Sequence, residues 1–520
     1  MTPGDPTFNA TRSAGGFADY SPALENRRRV VIREVYAHVI DGAFVPSASS
    51  KTLTVVEPAT GESLAEVASG NAADVDLAVR AARRAFDRLW NDTDPLERGR
   101  HLFRLSQVIR RRCREFSVLG AIESGRPVRW LRETDGPAAV AQIFHFAGWA
   151  DKLEWAVGGG VRPVPLGVVG VILPPGAGVA ALARSVAAAL AAGNTVVVKP
   201  SQRASLSALM FAHICREARL PPGVVNVVTG GDDTGAALAA HSALGALEFT
   251  GSAEAGKAVA QSTAKAGTRL LLELEGNSAQ LIFDDAPLDQ AIDAVVRGIW
   301  QHRSEPWDVA SRVLVEESIA EEVVDRLARR LQQVRVGDPL DNNTDVGPLD
   351  SAEQVGRTEA LVAAARQDGA EVVRWAKRPP ERGWFVKPTL LHRVELPHRS
   401  LAEVTRGPVL SVLTFRTHDE AVAIANQVAS GRSAGVWTTD AARSQWVADQ
   451  LHAGFVWVNS YDLVDPASPT WGLARSLGGD RGGRFGVGAY LELSADRGRC
   501  EGASAIDGCR PRHGDGGETP

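Results

Sequence analysis

The chain has 520 residues, 44% of them hydrophobic and 23% charged, the balance of a globular protein with room for two or three domains. A formal net charge of −5 with no long basic run argues against nucleic acid as a partner. Four cysteines, Cys113, Cys215, Cys500 and Cys509, form neither a CxxC pair nor a metal set, which points to a reduced, cytoplasmic setting.

The opening, MTPGDPTFNATRSAGG, has no basic stretch followed by an apolar core, so no signal peptide is expected. Residues 1–34 read as a disordered or extended leader. Two long helices follow, AADVDLAVRAARRAFDRLW and PLERGRHLFRLSQVIRRRCREFSVLGAIESG, both with apolar positions at helical spacing. Cys113 lies in the second as a packing residue.

From about residue 165 strands and helices alternate. GVVGVIL, NTVVVKP, VVNVVTG, ALEFTG and TRLLLELEG are β-branched or apolar runs. Between them lie AALARSVAAALAAG, SLSALMFAHICREARL, TGAALAAHSA and SAEAGKAVAQSTAKAG, which read as helices. The first of these helices carries Arg184 and is too short to span a bilayer, so no membrane association is expected. Alternation with short connections predicts right-handed βαβ units and a doubly wound parallel sheet, with ligands at the carboxyl ends of its strands.

After Asn277 a second α/β region begins. LDQAIDAVVRGIW and IAEEVVDRLARRLQQV read as helices; RVLVEE, LSVLTFR and SAGVWTT read as strands. The tail DRGRCEGASAIDGCRPRHGDGGETP cannot bury a core and reads as disordered, with Cys500 and Cys509 as inert solvated thiols.

Three short features sit where such a sheet binds its ligand. VVTGGDDTG places Gly230 and Gly235 at a strand-to-helix turn, where backbone N–H groups can approach a phosphate. EFTGSAEAGK repeats the device with Gly251 and Ser252, and Lys199 follows the strand TVVVK. Each has a plainer reading: an ordinary turn, a helix cap, a solvated lysine.

The combination is far more specific. VVVKPS, PPGVVNVV, FTGS, LELEGNSAQLIFDDA, SRVLVEES, VGDPLDNNTDVGPL, GPVLSVLTF, HAGFVWVN and GGRFGVGAYLEL occur in the order and spacing of the NAD(P)-dependent aldehyde dehydrogenase superfamily, which the chain resembles over roughly residues 35–493. The leader FADYSPALENRRRVVIREVYAHVIDGAFV resembles the family-sixteen branch, some members of which lack the catalytic cysteine.

The resemblance implies an α/β aldehyde dehydrogenase-like fold: a Rossmann-like parallel-sheet cofactor domain, an α/β catalytic domain and an oligomerisation β-arm. On this chain the divisions fall at 35–143 and 164–275 for the dinucleotide-binding domain and 276–482 for the catalytic-type domain. Residues 144–163 and 483–495 form the bridging segments, and 496–520 the tail. In the family a cysteine thiolate attacks the aldehyde carbon, an Asn amide helps hold the oxyanion, NAD or NADP takes the hydride, and a glutamate activates water.

Glu273 matches that glutamate. The nucleophile lies five residues before the arginine here numbered Arg312, and 34 residues after Glu273, which is position 307: a tryptophan. No cysteine lies between Cys215 and Cys500. An indole N–H only donates and cannot attack a carbonyl. Nucleophile loss in a hydrolase costs on the order of 10⁶-fold in rate.

Other positions depart as well. The oxyanion Asn of PWNFP is Gly176 in PPGAG. The nicotinamide-ribose glutamate of EEIFGPV is Val404, and its aromatic neighbour is Arg406. The adenine-ribose glutamate of KPSE is Gln202, and tunnel aromatics appear as Ala177 and Arg184. The phosphate-end residues Lys199, Gly230, Gly235, Gly251 and Ser252 persist, so NAD or NADP binding is expected to be weakened or lost. The arm segment LEWAVGGGVRPV is short, which predicts a reduced or altered oligomer.

The resemblance therefore implies a non-catalytic or severely impaired family member acting as a binding or partner protein, as a homo-oligomer or with an active aldehyde dehydrogenase. The alternative is an active NAD(P)-linked oxidoreductase in which Glu273 deprotonates an aldehyde hydrate without a covalent thiohemiacetal.

Overall fold

The computed structural model describes residues 22–158, 161–301, 310–394, 407–427, 433–461, 465–468 and 482–495. Of the leader, residues 22–34 fall in this set, and Glu25 there is buried and takes a forked pair of hydrogen bonds from Arg114, the closest 2.8 Å. The tail residues 496–520, with Cys500 and Cys509, lie outside it.

A small sheet of β1 (Val35–Tyr36), β4 (Thr52–Glu57) and β5 (Glu62–Ala68) runs in the order β1-β5-β4. Between β1 and β4 lie β2 (His38–Ile40) and β3 (Ala43–Val45), a hairpin closed by Asp41 and Gly42. Both turn residues have positive φ, 53° and 71°, the backbone that an Asp-Gly pair is suited to. Next come α1 (Ala72–Ala85), opened by an Asn71–Asp74 capping box, and α2 (Pro95–Ser124), opened by Asp94 and closed at left-handed Gly125.

The first large sheet is built from β7 (Val168–Ile172), β8 (Thr195–Lys199), β9 (Val225–Val227), β10 (Ala246–Gly251) and β11 (Arg269–Leu274). These five pair in parallel in the order β11-β10-β7-β8-β9, and the hairpin β2-β3 extends the β9 edge antiparallel. β7 through β10 are buried along their whole lengths, so they read as mostly apolar runs instead of alternating, with Thr195, Lys199, Asn226, Glu248 and Thr250 as buried polar exceptions.

Helices α3 (Gly136–Ala147), α4 (Leu153–Val157), α5 (Val179–Ala191), α6 (Leu206–Glu217), α7 (Asp232–Ala239) and α8 (Ala253–Ala266) complete this half. α5 is rich in alanine, a strong helix former, and ends where Gly193 takes φ +92°. The buried Trp90 indole closes over it, donating to the Leu190 carbonyl at 3.2 Å.

Strand order fixes where a ligand can sit. From β7 the chain moves outward through β8 and β9, then returns to the other side of β7 for β10 and β11. The switch falls between β7 and β10, and crevices open at the carboxyl ends of strands at such a point. Those ends lead into the Pro174–Gly178 turn and into Ser252.

The second large sheet runs β14-β15-β16-β13-β12-β17-β18. Its strands are β12 (Ser278–Ile282), β13 (Ala310–Glu316), β15 (Thr389–His392), β16 (Val409–Phe415), β17 (Ser433–Trp437) and β18 (Phe455–Val458), all parallel, with β14 (Glu371–Arg374) antiparallel at one edge. Helices α9 (Leu288–Val295), α10 (Ala320–Gln333), α11 (Ala352–Gln367), α12 (His418–Gln427) and α13 (Ala441–Gln450) pack around it. Two buried tryptophans anchor its core with their N–H groups satisfied: Trp437 on Gln280 at 2.9 Å and Trp300 on the Thr389 carbonyl at 3.4 Å.

The arm is small. β6 (Val161–Pro165) pairs antiparallel with β19 (Leu491–Ala495), which follows the short α14 (Gly483–Gly488). The segment LEWAV before it is helical, as α4, so among the described residues the arm is two strands.

Candidate active site

Glu273 stands one residue from the end of β11, beside Thr250 of β10 in register. Its side chain is 3% exposed. Thr250 Oγ1 donates to Oε2 at 3.0 Å, and the Arg184 guanidinium of α5 forms an ion pair with the same oxygen. Arg184 is 18% exposed, and its Nε finds no partner among the described residues. The sequence placed Arg184 in the substrate passage but did not reveal this pairing. The signal was present: a lone arginine in an otherwise apolar helix facing a sheet needs a carboxylate.

The next residue of α5, Ser185, donates to Glu248 Oε1 at 2.6 Å, while the Tyr490 hydroxyl donates to the other oxygen of Glu248. Glu248 lies two positions before Thr250 on β10, so both side chains leave the same face of the strand. A buried polar layer thus runs beneath Glu273.

Gly176 is buried in the turn between β7 and α5 and adopts φ +74°. The α5 N-terminus beyond it is filled: Asp135 accepts from the amides of Val179 (2.9 Å) and Ala180 (3.2 Å). A Cβ on Gly178 would come within 2.2 Å of the Asp135 carboxylate, so glycine is obligatory there. Burial raises the Asp135 pKa, with Arg126 and the two amides pulling it back. Glu123 does the same for α6, accepting from Leu206 (2.8 Å) and Ser207 (3.0 Å). Neither cap was evident from the sequence.

With those two helix ends occupied, an anion entering the crevice has α7 and α8 left. The first turn of α7 carries Asp232 and Asp233, which repel a phosphate. α8 is headed by Ser252, whose Oγ accepts from Ala255 at 3.2 Å; the cap reading holds, and its hydroxyl hydrogen is still available to a ligand. Gly251 ends β10, where a Cβ would press on Phe249 at 2.7 Å.

Lys199, at the end of β8, is 6% exposed, so the solvated-lysine reading is replaced by a buried ammonium. Burial lowers its pKa and Asp232 pulls it back. Gly230 takes φ +156° at the turn, with Thr234 Oγ1 filling the place of a side chain. Gly235 lies inside α7, and the nearest atoms to a Cβ there are Lys199 Cδ at 3.9 Å and Ile172 Cδ1 at 4.0 Å. Protein packing alone therefore leaves that glycine's face open. Gln202 reaches the same turn, its Oε1 3.1 Å from where a Gly231 Cβ would stand. An open glycine face, a buried cation and an uncrowded helix start fit a dinucleotide at Lys199, Gln202, Gly235 and Ser252.

Trp307, Val404 and Arg406 lie outside the described residues. Among the described residues no cluster of His, Cys, Asp and Glu suits a metal, and no helix is long and apolar enough to cross a membrane.

A doubly wound parallel sheet with a crevice at its switch point, a buried carboxylate on one side and glycines on the other, defines the class of α/β proteins that bind a ligand at their strand ends. The aldehyde dehydrogenase family model matches residues 44–495, and the chain belongs to that family. It is 35% identical over 465 residues to retinal dehydrogenase 2 of Homo sapiens, covering 87% of this chain and 90% of that one. Against cytosolic aldehyde dehydrogenase 1 of Rattus norvegicus it is 36% identical, covering 86% and 91%. The NAD+ complex structure of an aldehyde dehydrogenase from Bacillus cereus superposes with a TM-score of 0.87 at 33% identity, covering 91% and 99%.

Proposed function

We propose that this chain is a family member that has lost, or nearly lost, NAD(P)-dependent aldehyde oxidation and acts as a binding or partner protein. One observation carries the reading: the register set by Glu273 and Arg312 puts Trp307 at the nucleophile position, with no cysteine anywhere between Cys215 and Cys500. Gly176 at the oxyanion position removes a second group worth about 10²–10³-fold in rate. The ordinary dehydrogenase names of the relatives describe those proteins, not a chain with these substitutions.

The dinucleotide end is better preserved than the reacting end. The Bacillus cereus relative was solved with NAD+, and here Lys199, Gln202, Gly230, Gly235, Gly251 and Ser252 would hold NAD or NADP, more weakly if Val404 stands at the nicotinamide ribose. When bound, such a cofactor supplies a hydride acceptor. The division into a cofactor half to residue 275 and a catalytic-type half from 276 belongs to the same reading, as do a cytoplasmic location and assembly with itself or an active relative.

The test follows NADH and NADPH absorbance with a panel of aldehydes for the parent chain, Trp307→Cys and Glu273→Ala. No parent turnover above the Glu273→Ala level is expected. Parent turnover that Glu273→Ala abolishes would overturn the reading in favour of direct hydride loss from an aldehyde hydrate. Calorimetry with NAD and NADP reports separately on the cofactor end.

A further inference from the structure

We propose that Arg184 is a lock on Glu273: its guanidinium holds the buried carboxylate in a partly buried ion pair and so removes the general base of the cleft, independently of Trp307. The inference rests on the reading that Glu273 occupies the family's base position, and it adds a second lesion of a different kind. Trp307 removes the group that would carry the acyl chain. Arg184 disables the group that would release it.

The geometry supports a lock over an incidental contact. Arg184 comes from a helix largely covered by protein, with Ala183 and Ser185 both buried, and only 18% of its own side chain reaches solvent. The other nearby carboxylate, Glu248, already has one oxygen on Ser185 and the other on Tyr490. Glu273 is left as the counter-ion, and the same Oε2 also takes Thr250.

A general base must accept a proton from water. If Glu273 did so, the guanidinium beside it would lose its counter-ion in a site where an uncompensated charge is costly. Charge-assisted hydrogen bonds from arginine to carboxylate are about twice as strong as neutral ones, so the pair is expensive to break. Among the described residues the Arg184 Nε finds no partner, and the guanidinium's contact is the one to Glu273.

The test uses the Trp307→Cys chain acylated with p-nitrophenyl acetate. The thiolate attacks the ester carbonyl and p-nitrophenolate leaves, giving an acetyl thioester at position 307 that peptide mass locates. In release, water oxygen attacks the thioester carbon, the water proton passes to Glu273, the C–S bond breaks and the thiolate departs. The acetyl group should persist on W307C and on W307C/R184K, which keeps the charge. It should leave W307C/R184M about 10²-fold faster, the scale of one general base, and W307C/R184M/E273Q should be slow again.

Equal release from W307C and W307C/R184M, or fast release that survives E273Q, would overturn the lock. Urea unfolding of R184M, E273Q and the double variant gives a second readout needing no acylation. Each single change should lower the midpoint and the double should recover most of the loss; simple additivity would count against the pair. Aldehyde oxidation by the unaltered chain would overturn the loss-of-oxidation proposal, while the release ratio and the unfolding cycle decide the lock.

Discussion

Gly176, at φ +74°, occupies a backbone region that Asn tolerates better than most side chains. Restoring Asn there should therefore cost only about 1 kcal/mol of stability, and Val, being β-branched, clearly more. Urea unfolding of G176N and G176V checks the order. On W307C, adding G176N should speed acylation by an activated ester by about 10²-fold, because an oxyanion donor acts on that step; no gain would mean the turn cannot aim its side chain at the reacting carbon. Lys199 and Glu273 share a lesson at this scale. Each was visible in the sequence as a residue type at a strand end, but neither its burial nor its partner was, because those depend on helices that arrive from elsewhere in the chain.

Among the elements, α5 and α6 depend on carboxylates from the α2–α3 region. Burial lifts Glu123 to a pKa of about 7, with hydrogen bonds from Ser207 and Leu206 opposing the shift, and burial raises Asp135 as well. A carboxyl whose folded pKa is raised binds more protons folded than unfolded. Its contribution is fully present below the unfolded value and is lost as pH rises through about 7. For Glu123 the loss is on the order of 3 kcal/mol. Glu123→Gln should flatten the fall in melting temperature between about pH 5 and pH 8, with the residual slope due to Asp135; an unchanged slope would sink the assignment. Helices and strands themselves were legible from periodicity and β-branched runs. The β2–β3 hairpin carried its Asp41-Gly42 signal in the sequence but was not resolved there, since three-residue strands are too short to show a period.

For the whole molecule, the proposed reading makes the arm the element on which assembly turns. The resemblance implies dimers and tetramers built through such an arm, and among the described residues it consists of β6 and β19, with Leu493 exposed on β19 itself and Trp155 exposed on α4 just before β6. Short strands pair weakly. Sedimentation should give a species smaller than a tetramer, or one that dissociates on dilution within the micromolar range typical of weak interfaces. A stable tetramer at low concentration would show that other surfaces carry the assembly.

The sequence by itself determined the family and the doubly wound class, and it is the source of the proposed assignments of Trp307, Gly176 and Val404, because motifs in fixed order and apolar periodicity are linear information. Only the tertiary structure decided what stands opposite what. That Arg184 meets Glu273 across 89 residues, and that Asp135 and Glu123 fill two helix ends, follows from three-dimensional packing: a buried charge takes whichever counter-group the fold brings within reach.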